Sequence, residues 1–414
     1  MLILYSDGDL IREFIAEEVA MDSFFLPYGR QSIDQSDAAA VAAALQQPLI
    51  TRGPLTEQFE EELALYCGAN YAVLFNSATS ALHAAYFAGE LSAADRILLP
   101  TNTFVATGNY GFQRGARLLL IDIEETSGNI SLDELQANLG EPPSTRGKEF
   151  VVPVHFGGVA VDMRKLAGMV RSPATLVIED AAHALGSIYP SGEKVGCCSY
   201  SDMTIFSFHP LKTITTGEGG AVTCNCPKLR DRLRLFRNNG IVRDPRHWAE
   251  QPWYYEVVAP AGNYHMTEFQ AALGSSQLKR IDLFIEQRRS CVELYRQLLA
   301  PVQLVSLLDA SHPERTAPHL FIVQIDFEQL QGGRGKLMEQ LAEQHIGTQV
   351  HYIPLYRHPL FKEQMGDLSS YFPGSERYYA RALSLPLYAD LTLEQVELVV
   401  EKLVASLQQL RQRG

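Results

Sequence analysis

Between residues 70 and 225 the chain alternates short apolar runs with segments of helical spacing. The runs lie at 71–75, 96–99, 118–121, 150–154, 176–178 and 203–206, each of a length that suits a buried strand. Between them, Leu82, Tyr86 and Phe87 share one face of a 3.6-residue repeat, as do Leu132, Leu135 and Leu139. Strands and helices in alternation predict an α/β fold with a mostly parallel sheet covered on both faces. Ligands of such sheets gather at the carboxyl ends of the strands, so the residues following each run are the first candidates for chemistry.

After about residue 265 the pattern changes. Two long amphipathic stretches, 269–283 and 285–299, precede a strand-like run at 320–326, a helix near 336–345, an extended segment at 348–353 and a last helix. Thr392 and Gln395 form a capping-box signature for that helix. The pattern divides the chain into a first segment, 1–24, a large domain, 25–265, and a smaller α+β domain, 266–414. No Pro/Gly/Ser-rich linker separates the last two, which predicts a shared interface. In the first segment Leu10, Ile11, Phe14, Ile15 and Val19 form an apolar stripe, with Ser6 or Asp9 as a cap. It reads as a docked surface helix or a partner-binding one.

Composition narrows the function classes. The 414 residues are 46% hydrophobic, enough for a substantial core, and 35 Lys and Arg against 48 Asp and Glu leave a formal charge of −13. That charge disfavours nucleic-acid binding. No apolar run reaches the roughly 18 residues of a membrane span, and the acidic start lacks a signal peptide's basic segment, so the expected location is the cytoplasm. The six cysteines show no paired C-x-x-C spacing; they read as reduced thiols, and no metal site is expected.

Four segments after predicted strands matter together. Asn76-Ser77-Ala78-Thr79-Ser80 opens a helix with small hydroxyl residues, either ordinary caps or a phosphate seat. Asp180, in Glu179-Asp180-Ala181-Ala182-His183, is a strand-end carboxylate that caps a turn or faces a cation. Lys212, between the run ending at Phe206 and the glycine-rich Gly217-Glu218-Gly219-Gly220, is a surface charge or an amine held in a low-dielectric cleft as a nucleophile. Phe104 follows another run and offers an aromatic plate. Singly each signal is weak. As a set they match what pyridoxal 5′-phosphate requires: a seat for its phosphate, a partner for its ring nitrogen, an amine for its aldehyde and a surface for its ring.

With these residues in place, the sequence resembles the DegT/DnrJ/EryC1/StrS nucleotide-sugar aminotransferases from about Pro27 to its end, through segments 75–82, 179–186, 207–220, 235–240, 268–274 and 349–356. The resemblance implies a fold type I pyridoxal-phosphate enzyme whose large domain holds a mostly parallel seven-stranded sheet. It further implies that Lys212 links to the cofactor aldehyde, Asp180 pairs with the pyridinium nitrogen, His183 lies against the ring, Phe104 stacks, and Ala78, Thr79 and Ser207 hold the phosphate. Asn263 is implied to reach in from a second subunit of a homodimer. Thr51, Arg52, Gly53, His351 and Tyr352 are implied to contact the substrate. Segments 213–220 and 349–356 are most similar to the subgroup acting at C4 in pseudaminic acid biosynthesis, which implies L-glutamate as donor and a UDP-4-keto-6-deoxy-N-acetylhexosamine as acceptor. Arg52, where relatives usually carry Gln, and His265, where they usually carry Arg, depart from the pattern. Three rivals stand beside this reading: a C4 aminotransferase for a UDP-4-keto-pentose, a sugar dehydratase, which would carry His in place of Lys212, and a non-catalytic cofactor-binding regulator.

Overall fold

The computed structural model describes residues 25–139, 147–170, 172–247, 250–309 and 312–411. The stripe of residues 10–19 and its proposed cap lie outside them. All six apolar runs form strands: β1 (Tyr71–Phe75), β2 (Arg96–Pro100), β3 (Arg117–Ile121), β4 (Glu149–Val151), β5 (Thr175–Asp180) and β6 (Met203–Ser207). β4 is shorter than its run. Pro153 cannot donate to a ladder, and its carbonyl instead accepts from the Asp180 N–H at 2.9 Å.

A seventh strand, β7 (Gly220–Cys224), completes a sheet of order β1-β7-β6-β5-β4-β2-β3. β7 runs antiparallel to both neighbours, and the other six strands are parallel to one another. Side-chain alternation feeds two cores. Leu74, Leu98, Val151, Val177 and Phe206 enter one; Val73, Ile97, Phe150, Ile178 and Ile205 enter the other. With both faces buried, the strands read as continuous apolar runs.

The C-terminal part contains a three-stranded antiparallel sheet, β10 (Val305–Leu307), β11 (Phe321–Ile325) and β12 (Ala382–Leu385); a separate two-stranded ladder joins β8 (Ile241–Val242) to β9 (Glu256–Val257). A third core lies between the three-stranded sheet and the helices Ile281–Leu299, Gly333–Glu343 and Leu393–Leu410. Reciprocal bonds between Thr392 and Gln395 open the last helix.

One helix boundary differs from the sequence pattern. The amphipathic stretch after residue 268 breaks at Lys279 and Arg280, where the Arg280 N–H closes a tight turn on Gln277 O and the guanidinium turns to Asp34 and Asp37. Segment 348–353 is one bridge, Gln349 to Ser384, after which the chain leaves the sheet edge. The helix Ile281–Leu299 spans two cores: Phe284 and Ile285 pack with the large sheet, and Tyr295 and Leu299 with the small one.

Candidate active site

The carboxyl ends of β1, β5 and β6 open onto a cavity of about 620 Å³. A hollow of about 590 Å³ lies elsewhere, along the free edge of β3, lined mainly by apolar side chains. Its Asp122 carboxylate is already committed to the N–H groups of Gly374 and Ser375. The chemistry converges on the first cavity.

One wall is the start of the helix Ala78–Ala88. Ser77 caps it, accepting the Ser80 N–H at 3.1 Å, and Ser77, Ala78 and Thr79 line the cavity. First-turn N–H groups have no intrahelical acceptor, so this wall favours an anion. Gly220 lies against it in β7, and a Cβ there would sit 2.5 Å from the Ala78 nitrogen, so this cradle requires glycine. Ser207, at the end of β6 and in register with Gly220, closes the same corner.

Asp180 ends β5 almost fully buried. Its Oδ2 accepts from the Thr107 hydroxyl at 2.7 Å and its Oδ1 from the Ala182 N–H at 3.2 Å. Thr103 extends the chain, 2.7 Å from Thr107. Two hydrogen bonds leave acceptor capacity on the carboxylate, which suits a ring N–H.

Lys212 lies in the connection from β6 to β7, its Nζ 3.3 Å from His319 Nε2. Burial penalises the ammonium and pulls its pKa down to about 8; Arg288 adds to that pull and Asp180 opposes it. His183 accepts the Gly157 N–H on Nδ1 at 3.3 Å, which leaves its Nε2 proton for the Tyr352 hydroxyl at 3.0 Å. Burial, then Lys212, hold His183 well below the ordinary imidazole range. His351 is depressed in the same way, to about 3, and its Nδ1 lies 2.7 Å from the Ser384 hydroxyl. Phe104, 56% exposed, stands at the rim with its ring 6.1 Å from that of Tyr352.

The cavity thus gathers Ala78, Thr79, Phe104, Asp180, His183, Ser207, Lys212, His351 and Tyr352. It does not gather Thr51, Arg52, Gly53 or Asn263. Gly53 caps the helix Pro54–Cys67 against the Glu268 carboxylate, Arg52 is exposed with φ 56°, and Asn263 is exposed on a bridge to Asn238. Arg52 and Asn263 occupy one region, since the His265 backbone N–H donates to Asn263 Oδ1 at 3.4 Å and the Arg52 charge helps to lower the His265 pKa. Sequence reasoning missed His319, Arg288 and Thr107. The first two lie beyond the large-sheet pattern; Thr107 stands three residues after Phe104, at the start of the helix Ala106–Gln113, where a polar partner for a buried carboxylate could have been sought.

Comparison with known proteins agrees with this geometry. Residues 31–404 match the model of the DegT/DnrJ/EryC1/StrS aminotransferase family. The UDP-4-amino-4,6-dideoxy-N-acetyl-beta-L-altrosamine transaminase of Campylobacter jejuni is 34% identical over 387 residues, covering 93% of this chain and 98% of the relative. The spore coat polysaccharide biosynthesis protein SpsC of Bacillus subtilis is 34% identical over 380 residues, 91% of this chain and 96% of the relative. Among solved structures, Helicobacter pylori PseC, an aminotransferase involved in the biosynthesis of pseudoaminic acid, superposes with a TM-score of 0.84 at 29% identity, covering 93% of this chain and 100% of that one. The putative sugar aminotransferase Spr1654 of Streptococcus pneumoniae, in its PMP form, gives 0.84 at 26% identity, covering 92% and 99%.

Proposed function

We propose that this chain, which belongs to the DegT/DnrJ/EryC1/StrS aminotransferase family, moves the amino group of L-glutamate to C4 of a UDP-linked 4-keto-6-deoxy-N-acetylhexosamine, giving UDP-4-amino-4,6-dideoxy-N-acetyl-β-L-altrosamine. The observation that carries the amino-transfer reading is the convergence of a buried amine, Lys212, a strand-end carboxylate, Asp180, and an anion seat on one cavity. The choice of sugar rests on the Campylobacter jejuni relative, matched over nearly its whole length.

Pyridoxal 5′-phosphate is the family's cofactor, and the residues present fit it. The glycine-dependent cradle between Gly220 and Ala78 suits the phosphate, with Thr79 and Ser207 beside it. When bound, the cofactor supplies an aldehyde that links to amines and a protonated ring that accepts an electron pair. Lys212 would hold the cofactor through that aldehyde. Its freed amine then takes the donor Cα proton and, in the second half-reaction, returns a proton to sugar C4. Asp180 keeps the ring nitrogen protonated in both directions. The neutral His183 and Phe104 would flank the ring, and His351 and Tyr352 would meet the sugar.

The reading includes a homodimer. Leu49, Ile50, Val242, Trp253, Tyr255, Val257 and Val258 are all exposed, Trp253 at 71%. Backbone bonds join them to the Asn263 region, Asn239 N–H to Gly262 O at 2.8 Å and Val258 N–H to Gly240 O at 2.9 Å. A second copy covers this apolar face, bringing Asn263 to its partner's phosphate seat and Thr51, Arg52 and Gly53 to the shared substrate region. Trp253→Asp is expected to shift sedimentation toward the monomer and to lower turnover at least tenfold; a stable, fully active dimer would remove that face from the interface. Among the described residues no helix is long and apolar enough to cross a membrane. All six cysteines are free thiols, and on that basis we assign the enzyme to the cytoplasm.

The substrate is tested by mass spectrometry of products formed from glutamate and a panel of UDP-4-keto sugars. The expected result is a single amino product from the 6-deoxy-N-acetylhexosamine. Preference for a UDP-4-keto-pentose would leave the amino-transfer reading standing and overturn the sugar; no amino product from any of them would overturn both.

A further inference from the structure

Behind Lys212 stands an assembly to which the reaction as described gives no task. Arg288, on the helix Ile281–Leu299, is 2% exposed, and among the described residues no carboxylate forms an ion pair with it, Asp390 acting on its charge only from further away. Its guanidinium instead donates to three backbone carbonyls: Lys212 at 3.3 Å, Leu387 at 3.2 Å and His319 at 3.5 Å. Burying a cation on carbonyls alone costs solvation, so its retention points to a task beyond packing. The carbonyls belong to the β6–β7 connection, the lead-in to β11 and the segment after β12, so one side chain fixes all three relative to one another.

His319 is the second member. It is 6% exposed, its backbone N–H donates to Gly157 O at 3.0 Å, and its Nδ1 has no protein partner. Gly157 therefore carries two histidines, His183 on its N–H and His319 on its carbonyl, with ring centroids 4.4 Å apart. The next residue shows how close the backbones come: a Cβ on Gly158 would lie 2.1 Å from Ala317 O.

We propose that His319 orients the reactive amine, its Nε2 accepting one Lys212 N–H so that the nitrogen lone pair faces the cavity, while Arg288 and Gly157 are positioning residues that hold the imidazole there. The inference rests on the reading of Lys212 as the reactive amine. Burial, followed by Lys212, His183, Arg288 and His351, holds His319 well below the ordinary imidazole range, so the ring is neutral, and with Nε2 accepting from Lys212 its one proton is assigned to Nδ1. A neutral acceptor aims the amine without adding a charge beside it. The groups facing Lys212 are Asp180, Arg288, His183, His209, His319 and His351.

The test compares wild type, His319→Phe and His319→Gln as full chains whose folding is checked by thermal unfolding. Competitive trace acetylation of the cofactor-free protein, read at the Lys212 peptide across pH, reports the ionisation of the amine without turnover. Phe removes the acceptor from the ammonium, so the labelling midpoint is expected to fall by about one pH unit. Turnover of the holoenzyme is expected to fall about tenfold, with the KM for the amino donor little changed. More amine is then neutral and yet transfer is slower, which is the signature of lost orientation. Gln, which can still accept, restores both. A midpoint that stays put or rises toward the ordinary lysine value, or a Gln variant no better than Phe, overturns the proposal. If the Phe variant does not fold, ¹⁵N-histidine NMR of the wild-type and Lys212→Met chains decides: His319 Nε2 is expected to be unprotonated at neutral pH and to shift when Lys212 is replaced, and a protonated Nε2 overturns it. A wild-type Lys212 that labels like an ordinary surface lysine strikes instead at the functional reading itself.

Discussion

Lys212→Ala is expected to leave a folded chain whose amino transfer is down about 10⁴-fold or more, with no borohydride-reducible absorbance from a covalently held cofactor. The size of the effect follows from the environment of the side chain. An ordinary lysine, titrating near 10.5, is neutral in fewer than about one molecule in a thousand at pH 7. In this cleft the midpoint is pulled down to about 8, because burial penalises the ammonium and Arg288 repels it, so about one amine in ten is neutral at that pH. The sign can be checked directly: the availability of the amine rises as pH rises through about 8 and falls on the acid side. Lys212→Arg keeps the charge and cannot lose it, so it is expected to be as inactive as Ala. Wild-type turnover by either variant, measured with glutamate and the keto sugar, would remove Lys212 from its assigned role.

Asp180→Asn is expected to slow both half-reactions by about a hundred- to a thousandfold while barely moving the unfolding temperature. The substitution keeps the size of the side chain and an oxygen for the Thr107 hydroxyl, now 2.7 Å away, so the local network survives. The negative charge is lost, and with it the reason for a ring nitrogen at that point to stay protonated. A neutral ring is a poor acceptor for the electron pair released at Cα, and the same shortfall applies when the pair returns toward sugar C4. Single-turnover absorbance changes, followed separately with donor and with keto sugar, measure each direction. A loss confined to one direction, or none, would contradict the assignment.

How much was legible in the chain depended on the range of the interaction. The six parallel strands were legible because sheets buried on both faces write continuous apolar runs. β7 was not: Gly-Ala-Val-Thr-Cys is short and opens on glycine, and its strand character comes from the neighbours it slots between. Ser77 to Thr79, Asp180 and Lys212 were legible because each lies at the end of a strand or in the connection that follows one. The extended segment 348–353 was legible as extended chain, but spacing did not show that it makes a single bridge, Gln349 to Ser384, and brings both His351 and Tyr352 to the cavity. His319 and Arg288 were invisible because their partners are backbone carbonyls and an amine from other parts of the chain, and nothing in local spacing records such contacts.

The place of β7 between β1 and β6 also bears on how the molecule is made. Tyr71 pairs with Cys224 and Phe75 with Gly220, so the first strand is joined to its sheet only after roughly 150 further residues have been synthesised. Until then the helix behind Ser77 has nothing to close its anion cradle. A chain ending before Gly220 is therefore expected to leave the cofactor unbound, as measured by its absorbance on the purified fragment. The anion seat is thus a long-range product of the sheet: the helix after β1 supplies its N–H groups, and a strand about 145 residues later supplies its floor.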